Sequence, residues 1–561
     1  SLCYDVFPYP LDNIRGTIAM QDDVWDYRDL EGTNDTGTIE CYGRLVPRAA
    51  GNDLTLNFTG KAIALEDELR DALAVQSAGA ARFWRDLRPR GLMNLVADLH
   101  YSPGQRKPDL WVTLEPLSNS DGATAVSIEP AYFPYRLEKL RGVFKYHQGR
   151  VTLEKVRAEH RTTRLAAEGE CLLDGEGGWQ LHFERLEVDR LRADRDLTQA
   201  LSGGLKKAIT DLQPRGLLNL RGKLMLASSG QSASGMSAQW NVGIEGHQVA
   251  IDCGLALENI FGAVQLWGSF DGEKFVCNGE LSVDSMTYKD FQFTQCLGPL
   301  WLDNNVVLLG RAADRQRGAA SGRAVTARLY GGTVVLDGRV NLGLTPKYSL
   351  YATLTAADLA RAAQEAIAGK QKLSGLVSAE VELHGAGRGV HHLGGRGSVR
   401  LRDADLFELP VMVALLKPLS GRLPDTTAFN TADVDFRIAG EHIYLNKVHC
   451  NGDAVSLRGG GEMNFDRSIQ LSFYAVVGRG DAAFPILDKV VSAASQQIVQ
   501  IDVNGTLDNP ITHNRVFPNV EDARRIFQSE PAPQAVRPPR DGLIGRATAP
   551  QNRWYGSDGP K

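Results

Sequence analysis

The stretch Val434-Asp435-Phe436-Arg437-Ile438 places an apolar side chain at every second position, with a charged residue between. Such alternation is typical of a β-strand with one buried face and one wet face. The same spacing recurs up to residue 473, at Ile443, Leu445, Val455, Leu457, Met463, Phe465, Ile469, Leu471 and Phe473. Because buried parallel strands are apolar on both faces, these one-sided strands predict an antiparallel meander.

Towards the N-terminus the chain repeats itself. Residues 7–16 (FPYPLDNIRG) return as residues 133–142 (FPYRLEKLRG), 126 positions later. Residues 87–95 return as 212–220, 125 positions later, and a partial third copy starts at residue 257. A period this long exceeds that of the short solenoid repeats, so each unit must contain several strands and a helix.

Amphipathic helices are predicted where apolar residues recur at three- and four-residue spacing. Pro89 and Pro214 follow the first two of these segments as stop signals. The predicted fold is mainly β with interspersed amphipathic helices, forming an elongated, repeat-built antiparallel β-sheet groove. Its predicted β units are 1–126 (helix near 65–87), 127–250 (helix near 188–212), 251–371 (helix near 357–369) and 372–511 (helix near 484–499), followed by a short helix and a disordered Pro/Arg-rich tail at 512–561.

The sequence shows no catalytic constellation. A net charge of -5 lacks the basic excess that nucleic-acid binding requires. No GxSxG motif is present, and the glycine clusters 394–397 and 459–461 match no phosphate-binding loop, so we interpret both as turns or bulges. His391 and His392 have no third metal ligand at suitable spacing and are predicted to lie in a solvated loop. We therefore predict a protein that is not an enzyme and needs no metal or cofactor.

The seven cysteines are widely spaced and form no CxxC pair. Most are predicted to be small buried hydrophobic residues. No apolar run of about 18 residues is present, so no segment of this sequence is predicted to span a bilayer. The chain begins Ser-Leu-Cys-Tyr, without an initiator methionine, and we expect an N-terminal part to be missing.

Three segments resemble the C-terminal region of the AsmA-like family: residues 329–333 (LYGGT), 395–411 (GRGSVRLRDADLFELPV) and 503–510 (VNGTLDNP). The resemblance covers about residues 250–511. It implies a periplasmic groove of repeated β units, anchored in the inner membrane by an N-terminal helix. It also implies relatives among the TamB-type proteins and the bridge-like lipid-transfer proteins, which are implicated in moving phospholipid towards the outer membrane. The family supplies no catalytic residues.

The leading hypothesis is non-enzymatic transfer of phospholipid, or another acyl lipid, along the apolar strand face from Val434 to Phe473. The alternation by itself also fits the closed core of a β-sandwich, and it does not tell which strand face lines a groove. The alternative function is an assembly scaffold that helps outer-membrane proteins insert by adding their strands to an exposed sheet edge. A glycan-processing enzyme would need clustered carboxylates, which the sequence does not show.

Overall fold

The structure is a computed structural model of the 561-residue chain. It describes residues 2–515 apart from several gaps, and residues 516–561 lie outside the described part. The gaps are residues 6, 77, 118–121, 175–177, 202, 229–235, 253–255, 290, 321, 367–372, 388, 406–411, 413–414, 416–429, 453–454 and 478–497.

Strands dominate the described residues, as the alternating sequence predicts. The first seven are β1 Leu2–Tyr4, β2 Phe7–Gln21, β3 Val24–Asn34, β4 Gly37–Arg48, β5 Gly51–Ala64, β6 Leu92–Tyr101 and β7 Asp109–Pro116. The next seven are β8 Glu138–His147, β9 Arg150–His160, β10 Thr163–Leu173, β11 Trp179–Leu191, β12 Arg215–Ser228, β13 Met236–Asp252 and β14 Ala256–Phe270.

The second half of the sheet is built in the same way. Its first seven strands are β15 Phe275–Tyr288, β16 Phe291–Asp303, β17 Val306–Leu309, β18 Val325–Leu329, β19 Gly332–Asn341, β20 Lys347–Asp358 and β21 Ser374–Ala386. The last seven are β22 Gly394–Asp405, β23 Thr431–Ala439, β24 His442–Asn451, β25 Val455–Asn464, β26 Ser468–Val477, β27 Ile498–Thr506 and β28 Pro510–Arg515.

These strands form one long antiparallel sheet in which each strand pairs with its neighbours in sequence. The exception is at β17 and β18, which lie end to end in a single position and both pair with β16 and β19. The predicted mainly β, antiparallel fold is therefore confirmed. Strand β13 runs through the unit boundary predicted at residue 250, so the sheet continues across it.

Because neighbouring strands run in opposite directions, the strand ends line two long sides of the sheet, and these two sides carry different connections. Helices α1 (Asp67–Gln76) and α2 (Ala78–Leu87) follow β5, α3 (Arg195–Ala200) and α4 (Gly203–Leu212) follow β11, and α6 (Leu359–Ala366) follows β20, all at one edge. We call it the helical edge. The opposite edge, called the turn edge, carries mainly short connections such as the two-residue turn between Gln21 and Val24. Helix α5 (Arg311–Gln316) lies between β17 and β18.

The internal repeat extends to individual strand pairs. Ile18 lies opposite Tyr27 in β2 and β3, and Phe144 lies opposite Leu153 in β8 and β9, 126 residues later. The backbone is left-handed at Gly16 (φ 142°) and again at Gly142 (φ 130°). A Cβ at Gly142 would lie 2.9 Å from the carbonyl oxygen of Glu154, so only glycine fits where the two strands approach.

Three of the four helix predictions were correct in position but not in their ends. The segment predicted near 65–87 contains α1 and α2, and α6 lies within 357–369. The helix predicted from 188 begins at Arg195, because residues 188–191 complete β11. Most of the helix predicted near 484–499 lies outside the described residues, although Ile498 and Val499 already belong to β27. Residues 510–515 form β28, so the sheet extends past the predicted boundary at 511.

Neither glycine cluster is a turn. For residues 394–397 the prediction of a turn or bulge was wrong, whereas at 459–461 a bulge is confirmed, because the register with β24 shifts between Leu445 and Val448. Gly394–397 lie in β22 and are paired with both neighbouring strands. Gly459–461 lie in β25, where Gly459 and Gly461 pair with both β24 and β26 and Gly460 pairs with Ser472 of β26. A Cβ at Gly397 would lie 2.6 Å from Cζ of Phe436, and one at Gly459 would lie 2.7 Å from Cδ1 of Phe473. These glycines leave space for aromatic rings on the neighbouring strand, which is a known use of glycine inside strands.

Candidate functional site: the apolar face of the sheet

The register of the strands places their apolar side chains on one side of the sheet. Residues directly opposite each other on neighbouring strands share a face. One row of successive partners crosses eight strands through Leu95, Leu114, Phe144, Leu153, Gly169, Phe183, Leu224 and Trp240. A parallel row continues through Leu220, Ile244, Val264 and Leu281. We call this side the apolar face and the opposite side the outer face.

The outer face is polar and carries ion pairs between neighbouring strands. Lys223 Nζ lies 2.7 Å from Glu184 Oε2, and Lys145 Nζ lies 2.7 Å from Glu154 Oε1. The hydrogen bond from Lys223 lowers the pKa of Glu184 below its ordinary value. These side chains are largely exposed, so the pairs contribute little to stability, but they keep this face in water.

The structure brings the sequence-predicted groove residues onto the apolar face. Val434 lies opposite Val448, Phe436 opposite Leu445, and Ile438 opposite Ile443. Met463 lies opposite Ile469, and Phe473 follows on the same face of β26. Phe465 comes directly after β25 and packs in the cluster that contains Ile438. Leu457 of β25 and Leu471 of β26 lie on the same face as Met463 and Ile469. The side chain of Val455, the first residue of β25, is not described.

In this region the apolar face is covered. Leu457 is fully buried, and Ile469, Leu471 and Phe473 are at most 5% exposed. Met412 and Leu415 belong to the same buried cluster. Four predicted groove residues, Leu457, Ile469, Leu471 and Phe473, therefore form a packed core together with Ile501 and Val503 from β27, and Val434, Leu445 and Met463 pack against it half-buried. Ile438 is buried in a second cluster, where it packs with the half-buried Phe436, Ile443 and Phe465.

A more open part of the apolar face lies in the middle of the sheet. Ile244, Val264, Leu266 and Leu281 are only half-buried and lie on four neighbouring hydrogen-bonded positions of β13 to β15. The sequence prediction did not name them. Their alternation in β13 to β15 carried the signal, but alternation alone does not tell a covered strand from an open one.

The N-terminal end of the apolar face is the most exposed. Ile18 and Met20 in β2 are 57% and 60% exposed, and Trp25 in β3 is 40% exposed. Trp25 lies opposite Met20, so the three side chains form one patch. Among the described residues, the apolar face is thus exposed at its first strands and closed at its last ones.

Two helical segments, residues 65–91 and 192–214, extend from the helical edge to residues at the turn edge; we call them straps. In the first strap, Trp84 packs against the apolar face, and Asp86 Oδ2 accepts a 2.7 Å hydrogen bond from Trp179 Nε1. Asp211 Oδ2 in the second strap accepts a 3.0 Å bond from the Gly343 backbone N–H. Asp86 and Asp211 hold equivalent positions in the repeat, so each strap is fastened by the aspartate at that position.

Further contacts support the two straps. Arg82 Nη2 donates to Ser228 Oγ (3.2 Å), and Lys207 Nζ donates to Asn305 Oδ1 (3.2 Å). Phe83 packs edge-on against Trp179, with ring centroids 5.8 Å apart. Each strap is joined to its strands at the helical edge and held by contacts at the turn edge. The straps therefore cross the apolar face rather than lie beside it.

Polar clusters outside the apolar face show partners of their own. His391 is 77% exposed, and its Nδ1 lies 3.4 Å from Glu441 Oε1. On the outer face, Arg317 bonds Glu280 Oε2 (3.0 Å) and stacks 4.9 Å from the centre of the Trp267 ring. The described residues contain no group of three or more His, Cys, Asp or Glu side chains that could hold a metal ion.

The cysteines are mainly structural. Of the six in the described part of the chain, Cys171, Cys277, Cys296 and Cys450 are buried, as predicted from the sequence. Burial raises the pKa of the Cys450 thiol to about 12, which keeps it protonated and unreactive at neutral pH.

No helix in the described ranges is both long and apolar enough to cross a membrane. No protein-family model matches the chain, and no curated protein matches it at a significant level. The resemblance to the AsmA-like family therefore rests on the sequence segments at 329–333, 395–411 and 503–510.

Proposed function

We propose that this protein carries phospholipid or another acyl lipid along the apolar face of its sheet, without covalent chemistry. The observation that carries the proposal is the register, which keeps one face apolar from Ile18 in β2 to Val503 in β27. A closed core needs only a local apolar patch, whereas a path for acyl chains needs an apolar surface that continues from strand to strand.

The energetics favour shelter of acyl chains on such a surface. Each methylene removed from water contributes about 0.8 kcal/mol, so partial cover of two chains offsets most of their exposure during transit. The half-buried side chains Ile244, Val264, Leu266 and Leu281 offer this cover, while lipid head groups stay in water. No proton transfer or nucleophile is needed.

The straps define where the lipid lies. Helix α2 covers the face near β11 and β12, where Trp179 is 4% exposed, whereas α1 packs against β2 and α4 contacts β13 and β15. Acyl chains then occupy the stretches between the straps, and passage beneath a strap requires its release from the turn edge. The hydrogen bonds of Asp86 and Asp211 are the contacts that such a release would break.

The proposal is tested by purifying the protein without detergent and recording native mass spectra. We expect bound phospholipid, and transfer of fluorescent phospholipid between vesicles. Val264→Lys places a charge on the open part of the apolar face and is expected to lower transfer at least tenfold. Gln265→Lys is the matched control, because the neighbouring side chain is exposed on the outer face. Absence of bound lipid together with equal transfer by both variants contradicts the proposal.

The cellular setting follows from the family resemblance. On that basis we propose a periplasmic protein, anchored in the inner membrane in its full-length form, that contributes to outer-membrane lipid homeostasis. The alternative role in outer-membrane protein assembly is distinguished by photo-crosslinking, because only that role predicts adducts with nascent barrel proteins.

A further inference from the structure

Two exposed aromatic side chains lie on the outer face of the first repeat. Tyr42 in β4 is 59% exposed, and Trp111 in β7 is 53% exposed. One row of directly opposed residues joins them across four strands: Tyr42, Asn57, Asp98 and Trp111. We call it the aromatic row. Each of these strands is hydrogen-bonded to a neighbour on both sides, so the row lies within the sheet and not at its edge.

The second copy of the repeat carries polar residues in the same row. Glu168 corresponds to Tyr42 at an offset of 126, and Lys223 corresponds to Asp98 at an offset of 125. Asn241 lies opposite Lys223 as Trp111 lies opposite Asp98. The strand pairing is therefore the same with polar residues at these positions, and the fold does not require the exposed aromatic rings.

The indole of Trp111 is held in one orientation. Its ring stacks on His147 of β8, with centroids 3.5 Å apart and planes inclined by 12°. Trp111 Nε1 donates to Asp109 Oδ2 (3.3 Å), and His147 Nε2 lies 2.8 Å from Asp109 Oδ1. His147 covers one face of the indole, so the open face is directed towards β6. A ring that is already fixed loses little conformational entropy when a ligand stacks on it.

Tyr42, at the other end of the row, borders a shallow depression of about 430 Å³. The register between β3 and β4 shifts beside it, and Arg28, Asp29, Gly43 and Arg44 contribute to its wall. The arginine charges are balanced, because Arg28 and Arg44 both pair with Asp26, at 3.0 and 3.2 Å, and Asp29 lies beside them. The depression therefore offers hydrogen-bonding groups without an excess of charge.

Polar side chains fill the row between the two aromatic rings. Asn57 donates a hydrogen bond to the exposed Asp98, and Thr55 Oγ1 lies 3.2 Å from His100 Nδ1 in the adjacent row. An ionised carboxylate accepts several hydrogen bonds, so the bond from Asn57 leaves Asp98 able to accept more. Carboxylate, amide and imidazole groups of this kind match the donors and acceptors of neighbouring sugar hydroxyls.

We propose that the aromatic row binds a neutral glycan segment of about the length of a trisaccharide. The C–H groups on one face of a sugar ring pack against the negative face of an aromatic ring, while its hydroxyls bond to polar side chains. Neighbouring strands lie about 4.8 Å apart, so Tyr42 and Trp111, three strands apart, are separated by roughly 14 Å. A trisaccharide covers this length.

The charge of the row selects a neutral ligand. The carboxylates of Asp98 and Asp109 lie between the rings and beside the indole, where they would repel an acidic glycan. The row is on the face opposite to the apolar one, so this inference goes beyond the proposed lipid carriage and holds whether or not lipid moves along the sheet.

The proposal is tested by applying the 561-residue protein to an array of neutral and acidic oligosaccharides, followed by calorimetric titration of those that bind. We expect at least one neutral oligosaccharide to bind, with an affinity that rises at least tenfold from the disaccharide to the trisaccharide and changes less than twofold beyond it. Binding of acidic oligosaccharides alone, or of none, overturns the proposal.

Two variants introduce the residues that the second repeat carries. Tyr42→Glu and Trp111→Asn are each expected to weaken binding of the trisaccharide at least tenfold, because each removes a stacking ring at a position where the fold accepts the new residue. Trp25→Ala is the matched control, since it removes a 40% exposed ring from the apolar face and should change affinity less than twofold. Equal affinity of all three variants overturns the proposal.

The unsubstituted protein provides an independent measurement. Fluorine NMR of protein labelled with 5-fluorotryptophan resolves the ring of Trp111, whose signal is identified by its loss in Trp111→Asn. Saturating trisaccharide is expected to shift this signal and to leave that of Trp25 in place. A Trp111 signal that does not move in the presence of bound trisaccharide overturns the proposal.

Discussion

The half-buried histidine His449 shows how neighbouring residues set one side chain's protonation. It lies in β24 between Asp433 of β23 and Arg458 of β25. Burial, with the nearby charges of Lys447 and Arg458, lowers the pKa of His449 to about 4, and Asp433 opposes this shift. The folded protein therefore holds His449 neutral at pH values where the unfolded chain binds a proton.

This shift predicts a loss of stability in acid. Because the folded pKa of about 4 lies below the ordinary value of 6.5, the contribution of His449 is lost as the pH falls from 6.5 to 4. At about 1.4 kcal/mol per pKa unit, the loss is on the order of 1–3 kcal/mol. Urea denaturation at pH 7 and pH 4.5 should show a smaller pH-dependent loss in His449→Gln than in the parent. The exposed His391→Gln is the control and should behave like the parent.

Leu457 is the residue on which packing in the C-terminal region depends most clearly. It is fully buried in the cluster that contains Phe473 and Ile501. Leu457→Ala is expected to cost about 2–5 kcal/mol through lost burial and a residual cavity. Native-state hydrogen exchange of amides in β26 and β27 measures this loss. Ile511→Ala, at a residue that is 58% exposed, should change the free energy of opening obtained from this exchange by less than about 0.5 kcal/mol.

At the scale of elements, the two straps are attached to the sheet at equivalent positions of the sequence repeat. The aspartate before each Leu-x-Pro-Arg-Gly-Leu segment, Asp86 or Asp211, accepts a hydrogen bond from the turn edge. The donors differ, being an indole N–H in one case and a backbone N–H in the other. The acceptor, an aspartate carboxylate of the strap, is therefore the same in both repeats, whereas the donor at the turn edge differs.

Trp179→Phe tests this attachment. It keeps the ring beside Phe83 but removes the donor to Asp86, whose side chain is 12% exposed. Leaving a mostly buried carboxylate without this partner costs about 1–3 kcal/mol, so α2 should exchange its amide hydrogens faster. Trp111→Phe is the matched control, because Trp111 is 53% exposed on the outer face and should leave exchange in α2 unchanged. Equal exchange in both variants would show that the hydrogen bond does not fasten the strap.

At the scale of the whole molecule, the sheet is asymmetric along its length. The apolar face is exposed at Ile18 and Met20 in β2 and fully buried at Ile501 and Val503 in β27. Under the proposed lipid-carrying function, acyl chains reach the apolar face more readily at β2 and β3 than at β24 to β27, where Met412 and Leu415 cover the face.

The same asymmetry predicts a gradient of local stability. The side chains of β24 to β27 form a buried cluster, so the backbone amides of these strands should exchange slowest. The amides of β2 and β3 should exchange fastest among the strands. Hydrogen exchange followed by mass spectrometry measures the gradient directly. Uniform protection along the sheet would contradict the assignment of an open and a closed end.

Sequence alone determined the strand character, the antiparallel arrangement and the 126-residue repeat. These features depend on local alternation and on self-similarity, which are visible without knowing what covers a strand. It also predicted that the residues between Val434 and Phe473 are apolar on one side, because side chains on a strand alternate with a period of two. It misread the glycines at 394–397 as a turn or bulge, because the aromatic ring beside them lies on a neighbouring strand, whereas those at 459–461 do lie at a bulge between β24 and β25.

Only the tertiary structure decided which part of the apolar face is covered. Val264 and Leu457 occupy equivalent alternating positions in their strands, yet one is half-buried and the other has no exposed surface. The difference comes from segments distant in sequence that fold over the sheet, such as α2 over Trp179 and Met412 and Leu415 over Leu457. Alternation fixes the side of the sheet on which a residue lies, whereas its exposure depends on contacts that no local pattern encodes.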